Sequence, residues 1–457
     1  MTGHPRSAVF KAYDIRGLVP EQINPTLARA VGAAFVQVLA SEGPVPGVVV
    51  GYDMRPSSPE LAEAFAQGAA SRGVDVTIIG LASTDELYFA SGRLGLPGAM
   101  FTASHNPAQY NGIKLCRAGA APVGEDSGLG DIADLVAAGR STGFTGAPGT
   151  IEHRDLLDEY GQYLRSLVDV SAGRPLCVVV DAGNGMAGLT VPAVLNDPVL
   201  SVVPLYFELD GTFPHHEANP IDPANLRDLQ RAVREQQADV GLAFDGDADR
   251  CFVVDERGQI VSPSVLTALI AARELKREPG SSVIHNLITS RAVPEVVREH
   301  GGTPVRTRVG HSFIKEVMAQ TGAVFGGEHS GHFYFRDFWR ADSGMLAALH
   351  VLAALGEQPG PLSDLLSEYD RYAASGEVNS TVDDQAEATR RVRAEFSGRP
   401  GVTFDDLDGL TVDAPDWWFN LRASNTEPLL RLNVEAADEP TMQNVRDEVL
   451  ALVRGGR

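Results

Sequence analysis

The chain alternates short apolar runs with longer amphipathic stretches. Gly47-Val48-Val49-Val50-Gly51-Tyr52-Asp53 is apolar on both faces and ends in a polar turn, the pattern of a strand buried in a covered sheet. Residues 26–40 follow Asn24-Pro25, a capping residue ahead of a proline at the first helical position, and read as a helix. Ser58-Pro59-Glu60 repeats the device before a helix ending near Gly73, and residues 75–79 read as another strand. Strand, helix and strand in this order predict βαβ units and a mostly parallel sheet.

The pattern recurs. Leu176-Cys177-Val178-Val179-Val180-Asp181 runs into the turn Ala182-Gly183-Asn184-Gly185, and Ser281-Ser282-Val283-Ile284-His285-Asn286 precedes a helical stretch over 291–300. Three such starts predict three similar α/β domains, alike in pattern rather than in residue identity. Loose stretches at 137–148 and 356–361, the second after a strongly helical run over 343–355, punctuate the chain. Beyond them lie a charged helix near 384–396, β-prone runs at 417–421 and 429–435, and a helix from about Thr441. The expected fold is three similar mixed α/β sheet domains, followed by a smaller α+β C-terminal domain, around a central cleft. The expected spans are 1–147, 148–256, 257–372 and 373–457.

Composition narrows the function. A chain of 457 residues exceeds one hydrophobic core. No apolar run is long enough to cross a bilayer, and the first residues lack the apolar stretch of a secretory signal. Cys116, Cys177 and Cys251 are scattered, without metal or redox spacing, which fits a reducing cytoplasm. The net charge of −22 argues against nucleic acid or an anionic membrane as partner. A protein this acidic must gather cations locally if its substrate is anionic.

Four loops carry candidate chemistry. Thr102-Ala103-Ser104-His105-Asn106-Pro107 follows an apolar run over 96–101 and precedes a polar turn, Tyr110-Asn111-Gly112-Ile113-Lys114. Ser104 at the mouth of this turn, with His105 beside it and Lys114 ten residues on, suits a nucleophile with proton handlers; the same residues also suit an ordinary turn. Asp245-Gly246-Asp247-Ala248-Asp249-Arg250 follows a strand, and alternate aspartates in extended chain converge. Converging carboxylates call for a hard cation such as Mg²⁺. An EF-hand is excluded, because Arg250 occupies the sixth position, where glycine is required, although Glu256 suits the twelfth. Gly326-Gly327-Glu328-His329-Ser330-Gly331-His332 offers Glu328 and Ser330 to sugar hydroxyls and a titratable His332. Arg422-Ala423-Ser424-Asn425-Thr426-Glu427-Pro428, with Arg431 after it, has the donors of a phosphate cradle. Smaller features are Lys11 and Arg16 near the N-terminus, and Gly310-His311-Ser312 at a helix start. Each also has a plain reading as a charge pair, a cap or a turn. Yet Lys114, Arg250, His311, Arg422 and Arg431 all fall within these segments, as an anion-binding acidic protein requires.

Taken in order, the four loops resemble those of the α-D-phosphohexomutase family across essentially the whole chain. The resemblance implies that Ser104 is phosphorylated and, with Asp245, Asp247 and Asp249, holds one Mg²⁺. It implies that His105 and Lys114 lie beside the phosphoryl group and that Arg250 supports it. Glu328 and Ser330 would bind sugar hydroxyls. Arg422, Ser424, Asn425 and Thr426 would grip the non-reacting phosphate, with Arg431 nearby. Tyr13, Arg16, His311 and His332 look like further contacts. The implied reaction interconverts hexose 1-phosphate and hexose 6-phosphate, of mannose and also of glucose, through a hexose 1,6-bisphosphate that also serves as activator. The segment FKAYDIRG and the Glu328 loop look more like the phosphomannomutase/phosphoglucomutase branch than like phosphoglucosamine mutase. The turn Asn286-Leu287-Ile288-Thr289-Ser290 lacks a lysine that some relatives carry, so cation placement around the sugar departs from the pattern. A Mg²⁺-dependent serine phosphatase of sugar phosphates, phosphoglucosamine mutase and a non-catalytic sugar-phosphate binder are the alternatives. A monomer or weak homodimer in the cytoplasm is expected, with hexose phosphates as its partners.

Overall fold

The computed structural model describes residues 9–139, 145–423 and 429–455, leaving the side chains of His311 and Ser312 aside. Two compact units form, Met1–Pro263 with Ser330–Leu365, and Ser264–His329 with Leu366–Arg457.

Among the described residues, two whole sheets lie in the first unit, along with the antiparallel pair Phe333–Phe335 and Ala341–Asp342. One contains β1 (Ile15–Leu18), β2 (Val48–Tyr52), β3 (Val76–Leu81), β4 (Gly98–Phe101), β5 (Tyr110–Arg117), β6 (Ala121–Pro122) and β7 (Ile151–His153), in the order β1-β5-β4-β2-β3-β7 with β6 on β5. The pairs β2–β3, β2–β4 and β3–β7 are parallel, whereas β4–β5 and β1–β5 are antiparallel. Helices Pro25–Glu42 and Ser58–Ala70 bury Phe35 and Phe65 in one core with Val48, Val50 and Phe101. Asn24 caps the first helix, its Oδ1 accepting from Leu27 N at 3.0 Å.

Two local expectations are corrected. Ser58 does not cap its helix: it lies inside it, and its Oγ donates to Asp53 Oδ1 at 2.6 Å, because that buried carboxylate needs donors. Residues 110–114 form strand rather than turn. Their polar Asn111 is satisfied inside the protein, its Nδ2 donating to Ser57 and Ser58 Oγ. The serine loop therefore closes a β4–β5 hairpin, with Met100 opposite Lys114.

The second sheet contains β8 (Leu176–Asp181), β9 (Leu200–Leu205), β10 (Val240–Phe244), β11 (Cys251–Asp255) and β12 (Ile260–Val261), ordered β12-β11-β10-β8-β9. β8 runs parallel to β9 and β10, and β10–β11 is an antiparallel hairpin whose loop is Asp245 to Arg250. The same unit includes the fully buried helix Gly344–Gly356, capped by Ser343.

In the second unit, Thr303–Thr307, Ser282–Asn286 and Phe325–Gly327 lie side by side in parallel. The C-terminal part is a five-stranded antiparallel sheet ordered Ala373–Thr381, Leu429–Ala436, Trp417–Ala423, Leu410–Asp413, Thr403–Asp405. Helices Gln385–Phe396 and Glu439–Arg454 share its core with Phe419 and Leu432. Among the described residues, no helix is long and apolar enough to cross a membrane.

Candidate active site

The chain leaves β4 at Phe101 and turns sharply. Thr102 Oγ1 accepts from Ser104 N at 2.9 Å, and Ser104 takes a left-handed backbone conformation, φ 51°, which non-glycine residues adopt at a cost. The turn directs its hydroxyl at the β10–β11 loop. Ser104 Oγ donates to Asp245 Oδ2 at 2.8 Å and accepts from Arg250 Nη2 at 3.0 Å. The two loops meet backbone to backbone at Gly246, where a Cβ would lie 2.5 Å from the Ser104 carbonyl oxygen. Only glycine permits that approach.

Asp245, Asp247 and Asp249 are buried, and one ligand atom from each lies within 4.8 Å of the others. Their free energy depends on the cations around them. Lys114 Nζ donates to Asp247 Oδ2 at 2.7 Å and to Asp249 Oδ2 at 2.6 Å, while Arg250 Nε donates to Asp245 Oδ2 at 2.8 Å. Thr84 Oγ1 also donates to Asp247 Oδ2, at 2.6 Å. Burial alone would lower Lys114, but the charges of Asp247 and Asp249 hold it well above the usual lysine range. Burial would raise Asp247, yet Lys114 and Thr84 hold it well below the usual carboxylate range.

Asp247 Oδ1 and Asp249 Oδ1 are buried and accept no hydrogen bond. Buried carboxylate oxygens without donors are costly, and a hard divalent cation takes oxygen ligands of this kind. The residues present therefore fit such an ion.

Among the protein's own groups, the direct donors to the trio's carboxylates include the cations Lys114 and Arg250. Burial, with repulsion from Asp249 and Asp247 and against the pull of Arg250, pushes Asp245 up from 3.8 to about 8. An acid whose folded-state value is raised favours folding when protonated, so its stabilisation is complete at low pH and is lost as pH climbs from about 4 to about 8. In EDTA, the unfolding midpoint of the native protein is expected to fall relative to that of Asp245→Asn across that window. Saturating MgCl₂ should flatten the difference. A native midpoint that rises relative to Asp245→Asn as pH increases in EDTA would contradict the assignment.

His105 Nδ1 lies 3.3 Å from Ser104 Oγ and accepts from Arg250. Burial, then the charges of Arg250 and Arg16, lower it to about 2, so it stays neutral at working pH. Arg16 Nη1 donates to Asn106 Oδ1 at 2.8 Å, joining the N-terminal segment to the serine loop. Tyr13 is half-buried on that segment. Residues 250 and 332 form an antiparallel bridge, which brings the Ser330-Gly331-His332 turn to the aspartate loop. His332 Nε2 lies 3.6 Å from Asp249 Oδ1, and its Nδ1 is 3.0 Å from Ser330 Oγ. Ser104, His105, Lys114, Arg250, the aspartate trio, Arg16, Ser330 and His332 thus converge within the first unit.

The second unit carries the remaining candidates. Glu328 is buried, and its Oε1 accepts from Asn286 Nδ2 and Gly310 N, each at 3.3 Å. Arg422 and Arg431 lie directly opposite each other on paired strands. Both approach Glu377, at 3.7 and 3.4 Å, and the Nε of each is buried without an acceptor. Ser424, Asn425 and Thr426 lie outside the described residues, as does the side chain of His311, although helix His311–Thr321 starts there.

Thr84, Asp53 and Arg55 belong to no motif, yet each supports these loops. The one local signal is the charged pair Asp53-x-Arg55 directly after the apolar β2. Thr84 gives none, since its partner Asp247 is 163 residues away.

A buried serine hydroxyl against a cation-ready carboxylate trio, on a chain of α/β sheets with an antiparallel C-terminal sheet, has the makings of a metal-assisted phosphoryl-transfer enzyme. Family models of phosphoglucomutase/phosphomannomutase match α/β/α domain I over 7–141, domain II over 158–258, domain III over 263–372 and the C-terminal domain over 377–452. The chain belongs to this α-D-phosphohexomutase family of isomerases. It is 43% identical over 450 residues to a protein of Xanthomonas campestris pv. campestris named Phosphohexose mutases, covering 98% of this chain and 99% of that one. An Escherichia coli phosphomannomutase is 40% identical over 456 residues, covering 97% and 99%. The crystal structure of a phosphoglucomutase/phosphomannomutase family protein from Burkholderia thailandensis superimposes with a TM-score of 0.88 at 33% identity, covering 98% of each chain.

Proposed function

We propose that the chain interconverts the 1- and 6-phosphates of mannose, and also of glucose, with Ser104 as phosphoryl carrier, a hexose 1,6-bisphosphate as intermediate and activator, and Mg²⁺ on the aspartate trio. The observation that carries this reading is the 2.8 Å hydrogen bond from Ser104 Oγ to Asp245, beside two buried aspartate oxygens that lack donors. The name of the Escherichia coli relative, phosphomannomutase, supports the choice of mannose. A second relative, from Pseudomonas syringae pv. tomato, is named phosphomannomutase/phosphoglucomutase, which supports including glucose.

In the proposed cycle, the bond from Ser104 Oγ to phosphorus breaks as the sugar hydroxyl oxygen bonds to phosphorus. The hydroxyl proton leaves to a nearby base, for which His332, next to Asp249, is the candidate. Arg250 Nη2, already bonded to Ser104 Oγ, stabilises that oxygen as the phosphoryl group departs. His105 contributes as a neutral hydrogen-bonding group, and Lys114 adds fixed positive charge. Bound Mg²⁺ supplies charge neutralisation on the transferring group. The bisphosphate then presents its other phosphate: Ser104 Oγ bonds to that phosphorus as the phosphorus–sugar oxygen bond breaks, and the freed sugar oxygen takes back the proton held by the base.

Arg422 and Arg431 are proposed to hold the non-reacting phosphate with Ser424, Asn425 and Thr426. Like charges set directly across a strand pair are unfavourable, and an anion between them relieves the repulsion. Glu328, Ser330, Tyr13, Arg16 and His311 are proposed as further substrate contacts.

The purified protein, with MgCl₂ and a trace of hexose 1,6-bisphosphate, is expected to convert mannose 1-phosphate and glucose 1-phosphate to the 6-phosphates with no net phosphate release. Comparing kcat/KM for the two sugars ranks them. Stoichiometric release of inorganic phosphate would replace the mutase with a phosphatase.

A further inference from the structure

We infer that Arg55 is a positioning residue for the reaction: it holds the loop of Ser104 in the one conformation that turns Oγ toward the aspartate trio. The inference rests on the reading of Ser104 as phosphoryl carrier.

Arg55 is 1% exposed, just past the end of β2. Its Nε donates to Asp53 Oδ2 at 3.2 Å. Its other four side-chain hydrogen bonds go to backbone carbonyls, three in the serine loop and one at the first residue of β5, where that loop ends. Nη1 reaches Pro107 O at 2.9 Å and Tyr110 O at 3.0 Å. Nη2 reaches Ser104 O at 2.9 Å and Asn106 O at 2.7 Å. A guanidinium is a rigid planar fork, so four carbonyls bonded to one fork are fixed relative to each other. The loop needs such fixing. Ser104 sits at φ 51°, and a strained residue persists only where its surroundings over-determine it.

Arg55 is itself fixed on two sides. Asp53 Oδ1 accepts from Arg55 N at 3.0 Å and from Ser58 Oγ at 2.6 Å, so the carboxylate that anchors Nε cannot rotate away. The guanidinium carbon lies 5.1 Å from the ring centroid of Phe213, a cation–π contact from the chain between β9 and β10. A residue that only filled space would be expected to hold apolar neighbours in place. Arg55 spends its donors on the loop that carries the nucleophile. Its loss should therefore misdirect Oγ while leaving sugar binding in place, and a displacement of about 1 Å at a reacting group can cost about a hundredfold in rate.

The test is Arg55→Lys, which keeps the charge but offers one nitrogen in place of the fork. The expected result is a fall in kcat of about a hundredfold with KM little changed. The rate at which hexose 1,6-bisphosphate loads phosphate onto position 104, read by intact mass, should fall in parallel. Phe213→Leu, which keeps every hydrogen bond and removes only the ring, guards against a misfolded first variant. It is expected to lower kcat and the loading rate by a smaller factor, with unchanged KM and unfolding midpoint. Native kcat and loading rate in Arg55→Lys, or in Phe213→Leu if the first variant does not fold, would overturn the inference. So would a loss in Arg55→Lys that appears only in KM. Ser104→Ala separates the two readings: if it retains turnover, the carrier assignment has failed; if it is inactive while Arg55→Lys performs normally, only the role of Arg55 has failed.

Discussion

Ser104→Ala is expected to lower turnover by about four orders of magnitude or more, on the scale of losing a nucleophile, and to leave sugar-phosphate binding nearly intact. The substitution removes one oxygen, which donates to Asp245 and accepts from Arg250. It leaves the Thr102 contact to the backbone N–H of residue 104, the four carbonyls held by Arg55 and the Lys114 bridges untouched. The fold should therefore change in stability by about 1.5–3 kcal/mol, the usual worth of a hydrogen bond to a charged group. Alanine is no worse than serine at φ 51°, since both carry a Cβ. Intact mass after incubation with hexose 1,6-bisphosphate should show phosphate on the native protein and none on the variant. Turnover within about tenfold of native, a change of about 1.4 kcal/mol in the barrier, would remove Ser104 from the chemistry.

The reach of the sequence follows from where each residue finds its partners. The aspartate loop is legible because strand flanks and alternating acids are local features, and the structure sets it on the β10–β11 hairpin. The Asn24 cap is legible for the same reason. The run Tyr110 to Lys114 misleads, because its polar residues look solvated but are buried against partners far away in the chain. Asn111 meets Ser57 and Ser58, and Lys114 meets Asp247 and Asp249. Gly326 and Gly327 open a glycine-rich segment that reads as a loop, yet they pair with Ile284 and His285 within the strand Phe325–Gly327. Local composition signals a turn there, and pairing overrides it. Arg55 and Thr84 escape notice because a buried polar residue is defined by what it touches, and, the local Asp53–Arg55 pair apart, what they touch lies 49 to 163 residues away.

Lys114→Met is expected to lower both stability and rate, and to make the protein depend on divalent cation for its fold. The side chain is 17% exposed and bridges two carboxylates that are almost fully buried. Methionine keeps the volume and removes the charge. Breaking a buried ion pair from one side typically costs about 3–5 kcal/mol, and losing a fixed charge at a transferring phosphoryl group costs about a hundred- to a thousandfold in kcat. In the native protein the bridge persists across the physiological range. Lysine held above its ordinary 10.5 contributes in full below that value, and the contribution fades only as pH rises through the higher one. In the variant, the three carboxylates lose the cation that bridges two of them, so each holds a proton or a cation more tightly. The unfolding midpoint of Lys114→Met should therefore rise on acidification from about pH 8 to about pH 6 more steeply than that of the native protein. MgCl₂ should raise it by more than it raises the native midpoint, since a ligand stabilises in proportion to its affinity for the folded state. Equal Mg²⁺ stabilisation of the two proteins would mean that Lys114 and the cation do not share the aspartate trio.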